Sequence, residues 1–286
     1  MKAKNGRNIT RQQTLHHFGS RAVAGRPSQP RCYTPLVIAT LRVYGELNDF
    51  LPPADRQTTL VVRFDRGATV KDVIEARGVP HTEIDLVLVN GESADFGRPL
   101  GDGDRVAAYP VFEALDVASV TRVRPEPLRV IRFVLDVHLG RLARYLRLAG
   151  FDTLYDREAG DERLAEVSMT ERRVLLTRDQ GLLKRRAVTH GYCVRSTVPS
   201  RQLAEVVSRF DLRRLVRPFS RCTACNGVLE AAAPSDVVDG VPERSREHFV
   251  EFLRCPACRR VYWRGSHFPR LQQILDTALG GNPADD

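Results

Sequence analysis

Two cysteine pairs constrain this chain more than any other feature. Cys222-x2-Cys225 and Cys255-x2-Cys258 have the spacing of zinc knuckles. The interval between them, Asn226–Arg254, is longer than a usual ribbon, and Pro234–Pro242 reads as a loop insertion that takes up the excess. Four thiolates complete a tetrahedral Zn2+ shell and leave no open position, so the site expected is structural, with one ion per chain. Two disulfides are the competing arrangement. Against them, no apolar signal segment follows the early basic residues, and Cys32 and Cys193 have no evident partners.

The chain has 44 Lys or Arg against 35 Asp or Glu, a formal charge of +9, and the excess is unevenly placed. Residues 1–36 hold seven cations and no anion, 37–127 are net acidic, and 128–286 are basic again. Only four of the cations are lysines; arginine favours bidentate contact with phosphate, although a GC-rich coding bias gives the same excess. A polyanion would meet the third block. The chain has no apolar run of the roughly 20 residues that a membrane span needs, and no membrane partner is expected. A soluble, cytoplasmic protein without a small-molecule organic cofactor is expected.

Residues 37–112 read as a small mixed fold. Val37, Ala39, Leu41 and Val43 alternate as in a half-buried strand, and Leu60, Val62 and Phe64 repeat the pattern. Val70, Val73 and Ile74 fall at helical spacing before Gly78. Leu86–Val89 runs into Asn90-Gly91, a pair suited to positive φ, and Asp102-Gly103-Asp104 makes a turn before Val106–Val111. Two strands, a helix and two more strands suit a β-grasp sheet. With "VYGEL" early and "PLGDGDRVAAYP" late, the stretch resembles the ubiquitin-like sulfur carriers of thiamine and molybdopterin synthesis. That chemistry needs a free C-terminal Gly-Gly, whereas Tyr109-Pro110-Val111-Phe112 runs on into more chain. A docking or packing role is expected instead, with a protein partner possible through this module.

From Val130 onward strands alternate with helices, which implies a parallel sheet with its site at the strands' C-terminal ends. Asp136 ends the strand Val130–Leu135, Asp179 follows Val174–Thr177, and Asp161 opens the helix after Asp152–Asp156. Leu139, Leu142, Ala143 and Leu146 mark one face of a helix, with Arg141, Arg144 and Arg147 off that stripe. Three carboxylates at one sheet edge repel one another unless a cation is bound, and Mg2+ or Mn2+ suits oxygen ligands. Taken singly, Asp161 could be a helix cap and Asp179 a turn residue.

"FVLDVHLGRLARYLRLAGFDTLYD", "DERL" and "RVLLTRDQGLL" closely resemble the Mut7-C RNase domain, a relative of PIN-domain nucleases. The resemblance implies an α/β nuclease whose acids bind divalent metal and hydrolyse RNA. It implies catalytic roles for Asp136, Asp161 and Asp179, with Glu162 a weaker addition and Thr177 a residue that could orient metal-bound water. The segment after the second knuckle also matches that family. Arginine interleaved with aromatic rings there suits single-stranded RNA. The RNA contacts expected are Arg141, Arg144, Arg178, Lys184, Arg259, Arg260, Arg264 and His267. For Trp263, packing of the ribbon and RNA contact are equally open.

The organisation expected is a disordered basic tail over 1–36, a ubiquitin-like β-grasp domain over 37–115 and a linker over 116–128. A PIN-like parallel-sheet nuclease domain follows over 129–217, then a zinc ribbon over 218–275 and a disordered tail over 276–286. Two functions follow: a metal-dependent ribonuclease, or a non-catalytic RNA-binding adaptor whose ubiquitin-like domain recruits a protein.

Overall fold

The computed structural model describes residues 36–110, 121–123, 128, 130–266 and 268–280. Residues 1–35 of the expected tail, most of the expected linker, and residues 281–286 lie outside the described residues. Among the described residues no helix is long and apolar enough to cross a membrane.

The first sheet contains β1 (Val37–Val43), β2 (Leu60–Phe64), β3 (Ile84–Val89), β4 (Glu92–Ser93) and β5 (Arg105–Pro110), in the order β2-β1-β5-β3-β4. β1 runs parallel to β5 and antiparallel to β2. Alternation along β1 buries Val37, Ala39, Leu41 and Val43, the last three in one core with Val70, Val73 and Ile74 of α1 (Val70–Ala76). A reciprocal pair starts that helix: Thr69 Oγ1 accepts from the Asp72 amide, and the Asp72 carboxylate accepts from the Thr69 amide. Such a cap contributes about 0.5–2 kcal/mol. Asn90 and Gly91 take φ of 56° and 90°, a mirror-image turn that asparagine tolerates and that glycine, without a Cβ, adopts freely. This is the ubiquitin-like β-grasp fold. The short 3-10 turns at Gly45–Phe50 and Pro53–Asp55 carry no periodic signal and were not expected.

The second sheet is wholly parallel. Its strands are β6 (Phe133–Leu135), β7 (Thr153–Tyr155), β8 (Val174–Thr177) and β9 (Gly191–Cys193), ordered β7-β6-β8-β9. α2 (Gly140–Leu148) and α5 (Pro199–Arg209) bury Leu142, Leu146, Leu203 and Val206 on one face. α3 (Asp161–Thr170) and α4 (Gln180–Leu183) bury Leu164 and Leu182 on the other. The strand predicted over Val130–Leu135 shortens to Phe133–Leu135, since Val130 is 68% exposed and has no sheet neighbour. Gly150, at φ 99°, turns the chain out of α2 where a Cβ would stand 2.3 Å from the Arg217 carbonyl oxygen. Only glycine fits there.

The third sheet is antiparallel, with β10 (Glu230–Ala232), β11 (Phe252–Arg254) and β12 (Val261–Trp263). The predicted insertion is more than a loop. It forms a 3-10 turn at Pro234–Val237 and leads into α6 (Glu243–His248), while Val237 and Val241 pack on Phe252. The final element, α7 (Phe268–Gly280), corrects two expectations. Residues 276–280 are helical rather than disordered, and residues 268–275, expected as part of the ribbon, belong to a helix packed on α5, with Phe268 at its start stacked on Phe219. Leu271, Leu275 and Ala278 recur at helical spacing and join the core of the parallel-sheet domain, with Leu275 and Ala278 only 1% exposed. The polar residues that follow masked that period.

A parallel sheet of four strands leaves two rows of backbone groups open at its edges. Each edge receives a side chain from a flanking module. On β7 the Thr153 amide donates to Asn226 Oδ1 at 2.9 Å, from the first zinc knuckle. On β9 the Cys193 amide donates to Glu83 Oε1 at 2.6 Å, from the β-grasp domain. Around Glu83, His81 Nε2 lies 2.9 Å from the Val188 carbonyl, Lys184 donates to the Glu75 carbonyl, and Arg195 stands between Asp49 and Glu83.

Burial raises the Glu83 pKa above its ordinary value, despite the neighbouring Arg195. Folding therefore takes up a proton at this carboxyl, and its contribution to stability declines as pH rises from the ordinary glutamate range upward. Glu83→Ala leaves the Cys193 amide and Arg195 without that partner and should cost about 2–4 kcal/mol. Glu83→Gln keeps an oxygen for the amide, costs less, and removes the pH term. Unfolding free energies between pH 4 and 8 should show the Gln variant gaining on the wild type as pH rises; a constant difference would refute this reading.

Candidate functional site

The four cysteines converge. Their ligand atoms all lie within 4.8 Å of one another, with Cys222 Sγ 3.5 Å from Cys258 Sγ and Cys225 Sγ 3.4 Å from Cys255 Sγ. Zn–S bonds near 2.3 Å require sulfurs about 3.8 Å apart, so the donor set fits one Zn2+. The two knuckles share one backbone path. The Cys222 amide bonds the Gly227 carbonyl and the Asn226 amide returns to the Cys222 carbonyl; the Cys255 amide bonds Arg260 and the Arg259 amide returns to Cys255. Asn226 and Arg259, each just after the second cysteine, both have positive φ, 71° and 63°.

Electrostatics prepare these thiols for a cation. Burial raises the Cys222 thiol, but the Tyr262 hydroxyl, 3.0 Å away, and the amides of Cys225 and Ala224 outweigh it and bring its pKa to about 6. Cys225 is pushed up to about 12, first by burial and then by its thiol neighbours. Four thiols so close cannot all ionise unless a positive charge joins them. Tyr262 is itself pushed up to about 12, mainly by burial, so it remains a donor toward Cys222.

The first knuckle is bolted to the parallel sheet. Arg147 is 5% exposed; its Nε donates to the Thr153 carbonyl at 2.9 Å and its Nη1 to the Ala224 carbonyl at 2.8 Å. Asn226 Nδ2 donates to Asp152, which also pairs with Arg173 at 2.7 Å and Arg221 at 3.6 Å. Burial raises the Asp152 pKa, but the bonds from Arg173 and Asn226 outweigh it and hold it below the ordinary aspartate value. Sequence reasoning missed Asn226 and set Arg147 away from the buried stripe of its helix, where the structure instead buries it. A polar residue at the left-handed position of a knuckle, and an arginine on a mostly buried helix, were the available signals.

At the C-terminal end of the parallel sheet, Asp136 follows β6 and is 7% exposed. Thr177, fully buried at the end of β8, donates to Asp136 Oδ2 at 2.7 Å and accepts from the Asp179 amide at 2.9 Å. Its hydroxyl proton is thus directed at Asp136. Asp136 Oδ1 accepts from the His138 amide, and Asp179 Oδ1 from the Gly181 amide at 2.7 Å, so both acids cap helical turns. Among the described residues neither Asp136 nor Asp179 has a cationic partner within ion-pair distance. Asp161 stands at the first turn of α3 and pairs with Arg185 at 3.5 Å, both about half exposed; Glu162 beside it is exposed. The structure joins Asp136, Thr177 and Asp179 and sets Asp161 in a separate pair.

The expected RNA contacts divide. Arg141, Arg144 and Arg260 line one cleft, with Arg157, which sequence reasoning missed. Arg178 and Arg259 are exposed. Lys184 is turned to the Glu75 carbonyl of the β-grasp domain. Arg264 pairs with Glu251 at 3.8 Å and lies over the Phe268 ring. His267 lies outside the described residues. Trp263 is half-buried against the Val237, Val241 and Phe252 cluster and also lines an apolar groove beside Phe249 and Phe268.

Comparison with known proteins adds the following. The family model described as the Mut7-C RNAse domain matches residues 131–275, and that described as Mut7-C ubiquitin matches 36–116. A human protein, "Exonuclease mut-7 homolog", is 39% identical over 123 residues, covering 41% of this chain and 14% of the human one. The chain thus spans a small part of that relative's length. A crystal structure of H. volcanii small archaeal modifier protein 1 is 24% identical with a TM-score of 0.22, over 27% of this chain and 99% of that chain. One of SAMP1 from Haloferax volcanii gives 23% and 0.23 over the same shares.

Two substitutions test the zinc site. Cys255→Ser should abolish zinc retention and unfold the ribbon, because metal binding supplies much of its folding free energy. Tyr262→Phe should leave the fold and weaken zinc about 10–100-fold, read by competition with a chromophoric chelator. Unchanged affinity would show that the hydroxyl does not support the thiolate.

Proposed function

This chain belongs to the Mut7-C RNAse domain family, and on that premise we propose that it is a metal-dependent ribonuclease acting through Asp136, Asp161 and Asp179. The observation that carries the proposal is the pair of carboxylates at the ends of the two central strands. Asp136 and Asp179 share Thr177 as a common hydrogen-bond partner and have no counter-charge among the described residues. A buried carboxylate is costly without a counter-charge, and two neighbouring acids without an ion-pair partner suit Mg2+ or Mn2+. Such an ion, when bound, supplies an acidified water and stabilises the leaving oxygen.

The chain's own residues then have defined tasks. Thr177 fixes the rotamer of Asp136 and, through the Asp179 amide, the start of the next turn. Asp161 is held only by a half-exposed pair with Arg185, worth about 0–1 kcal/mol, so it is free to exchange that partner for a metal. Glu162 lies beside it. Arg141, Arg144, Arg178, Arg259, Arg260, Arg264 and His267 are proposed to hold RNA, whereas the Lys184 contact argues for a domain-docking role. The zinc ribbon is structural, the ubiquitin-like domain offers a surface to a protein partner, and the cytoplasm, where thiols stay reduced, is the compartment proposed.

One observation favours the second reading, a non-catalytic RNA-binding adaptor. Among the described residues the group of metal-competent side chains already gathered together is the four cysteines, not the three acids. An RNA degradation assay with Mg2+ or Mn2+ separates the two. Asp136→Asn should reduce cleavage by about 10³-fold, equivalent to roughly 4 kcal/mol of transition-state stabilisation. Zinc content and RNA binding should persist. Undiminished cleavage by the Asp136→Asn, Asp179→Asn double variant would refute the catalytic assignment, and an inactive wild type would leave the adaptor.

A further inference from the structure

We infer that the arginine cleft between the nuclease domain and the zinc ribbon is a seat for the phosphates of single-stranded RNA, and that the docked ribbon builds one of its walls. The cleft, of about 1010 Å³, draws Arg141 and Arg144 from α2, Arg157 from the loop after β7, and Arg260 from the second knuckle. All four are exposed, and among the described residues none has an ion-pair partner. Asp156 and Glu158 at the rim offset part of this charge. Arginines from three separate elements face one solvent-filled space without enough anions, an arrangement that repels itself until an anion enters.

Three details give the seat its chemistry. The start of α5 contributes Thr197 and Pro199 to the lining, so the positive end of that helix adds to the arginines. His138, also in the lining, donates its amide to Asp136, which places the cleft beside the candidate catalytic carboxylate. Arg147 forms the floor, its guanidinium held by the carbonyls of Thr153, Thr223 and Ala224. The wall made by Thr223, Ala224 and Arg260 exists because the knuckles are folded and docked. Zinc thereby controls substrate binding without touching substrate. The planar forks of arginine fit phosphate oxygens bidentately, and spacing along two walls suits successive phosphates of a strand better than one small anion. The identity of the strand rests on the ribonuclease reading.

The test is binding measured without Mg2+ or Mn2+, so that cleavage plays no part. Anisotropy of a labelled single-stranded RNA is followed against salt for the full chain with zinc bound. Arg141→Gln, Arg144→Gln and Arg157→Gln, Arg260→Gln should each weaken binding about tenfold or more and flatten the log K against log salt slope by roughly 1.4. Arginine-to-lysine versions of the same pairs should recover part of the affinity. Arg213→Gln, Arg214→Gln, outside the cleft, is the charge-matched control and should change little. Inorganic phosphate, at matched ionic strength, should not displace the RNA; displacement at low millimolar phosphate would mark a small-anion site and overturn the strand assignment. Cleft variants indistinguishable from the control, or a wild type that does not bind RNA, would overturn the seat. A wild type that binds through the cleft but cleaves nothing when Mn2+ is added would leave the seat and overturn the ribonuclease reading.

Discussion

Edge amides in a small parallel sheet are the constraint on which the rest of this structure depends. With strands of three or four residues, β7 and β9 cannot leave buried donors unpaired without losing much of what the sheet gains. The chain answers with one side chain per edge, Asn226 at Thr153 and Glu83 at Cys193. Each comes from a different module. The ubiquitin-like domain and the zinc ribbon are therefore parts of how the nuclease sheet is completed, and their docking is polar and geometrically specific.

The two edges differ in charge logic. At β7 the acceptor is a neutral amide, and the charge lies one step out in Asp152, compensated by Arg173, Arg221 and Asn226. Its depressed pKa makes this edge more secure at neutral pH and weaker in acid. At β9 a carboxyl itself caps the strand, and burial shifts it the other way. The nuclease domain thus grips its neighbours by two contacts with opposite responses to pH.

Much of this was legible in the sequence where periodicity or spacing reports directly on packing. The alternation in β1 and β2, the Asn90-Gly91 turn and the CxxC pairs each encode a local geometry, and each is found as expected. The acids Asp136 and Asp179 were placed by the ends of apolar runs, and Thr177 proved to join them. What was hidden depends on long-range contact. Glu83 and Asn226 carry no local signal because their partners lie 110 and 73 positions away. The period of α7 was masked by the polar residues after it, and Arg147 looked like its neighbours on α2 although it alone turns inward.

The matching backbone paths of the two knuckles have a consequence for orientation. Asn226 and Arg259 occupy the same left-handed position, one after each second cysteine, so the metal-binding half-sites are close to interchangeable as backbone. What distinguishes them is the side chain that each presents. An amide can imitate a strand's carbonyl and bond an edge; a guanidinium, with no acceptor, cannot. The first knuckle can thus be seated on the strand edge by Asn226, alongside the Arg147 bonds to its Thr223 and Ala224 carbonyls, whereas the same position of the second knuckle holds an exposed guanidinium.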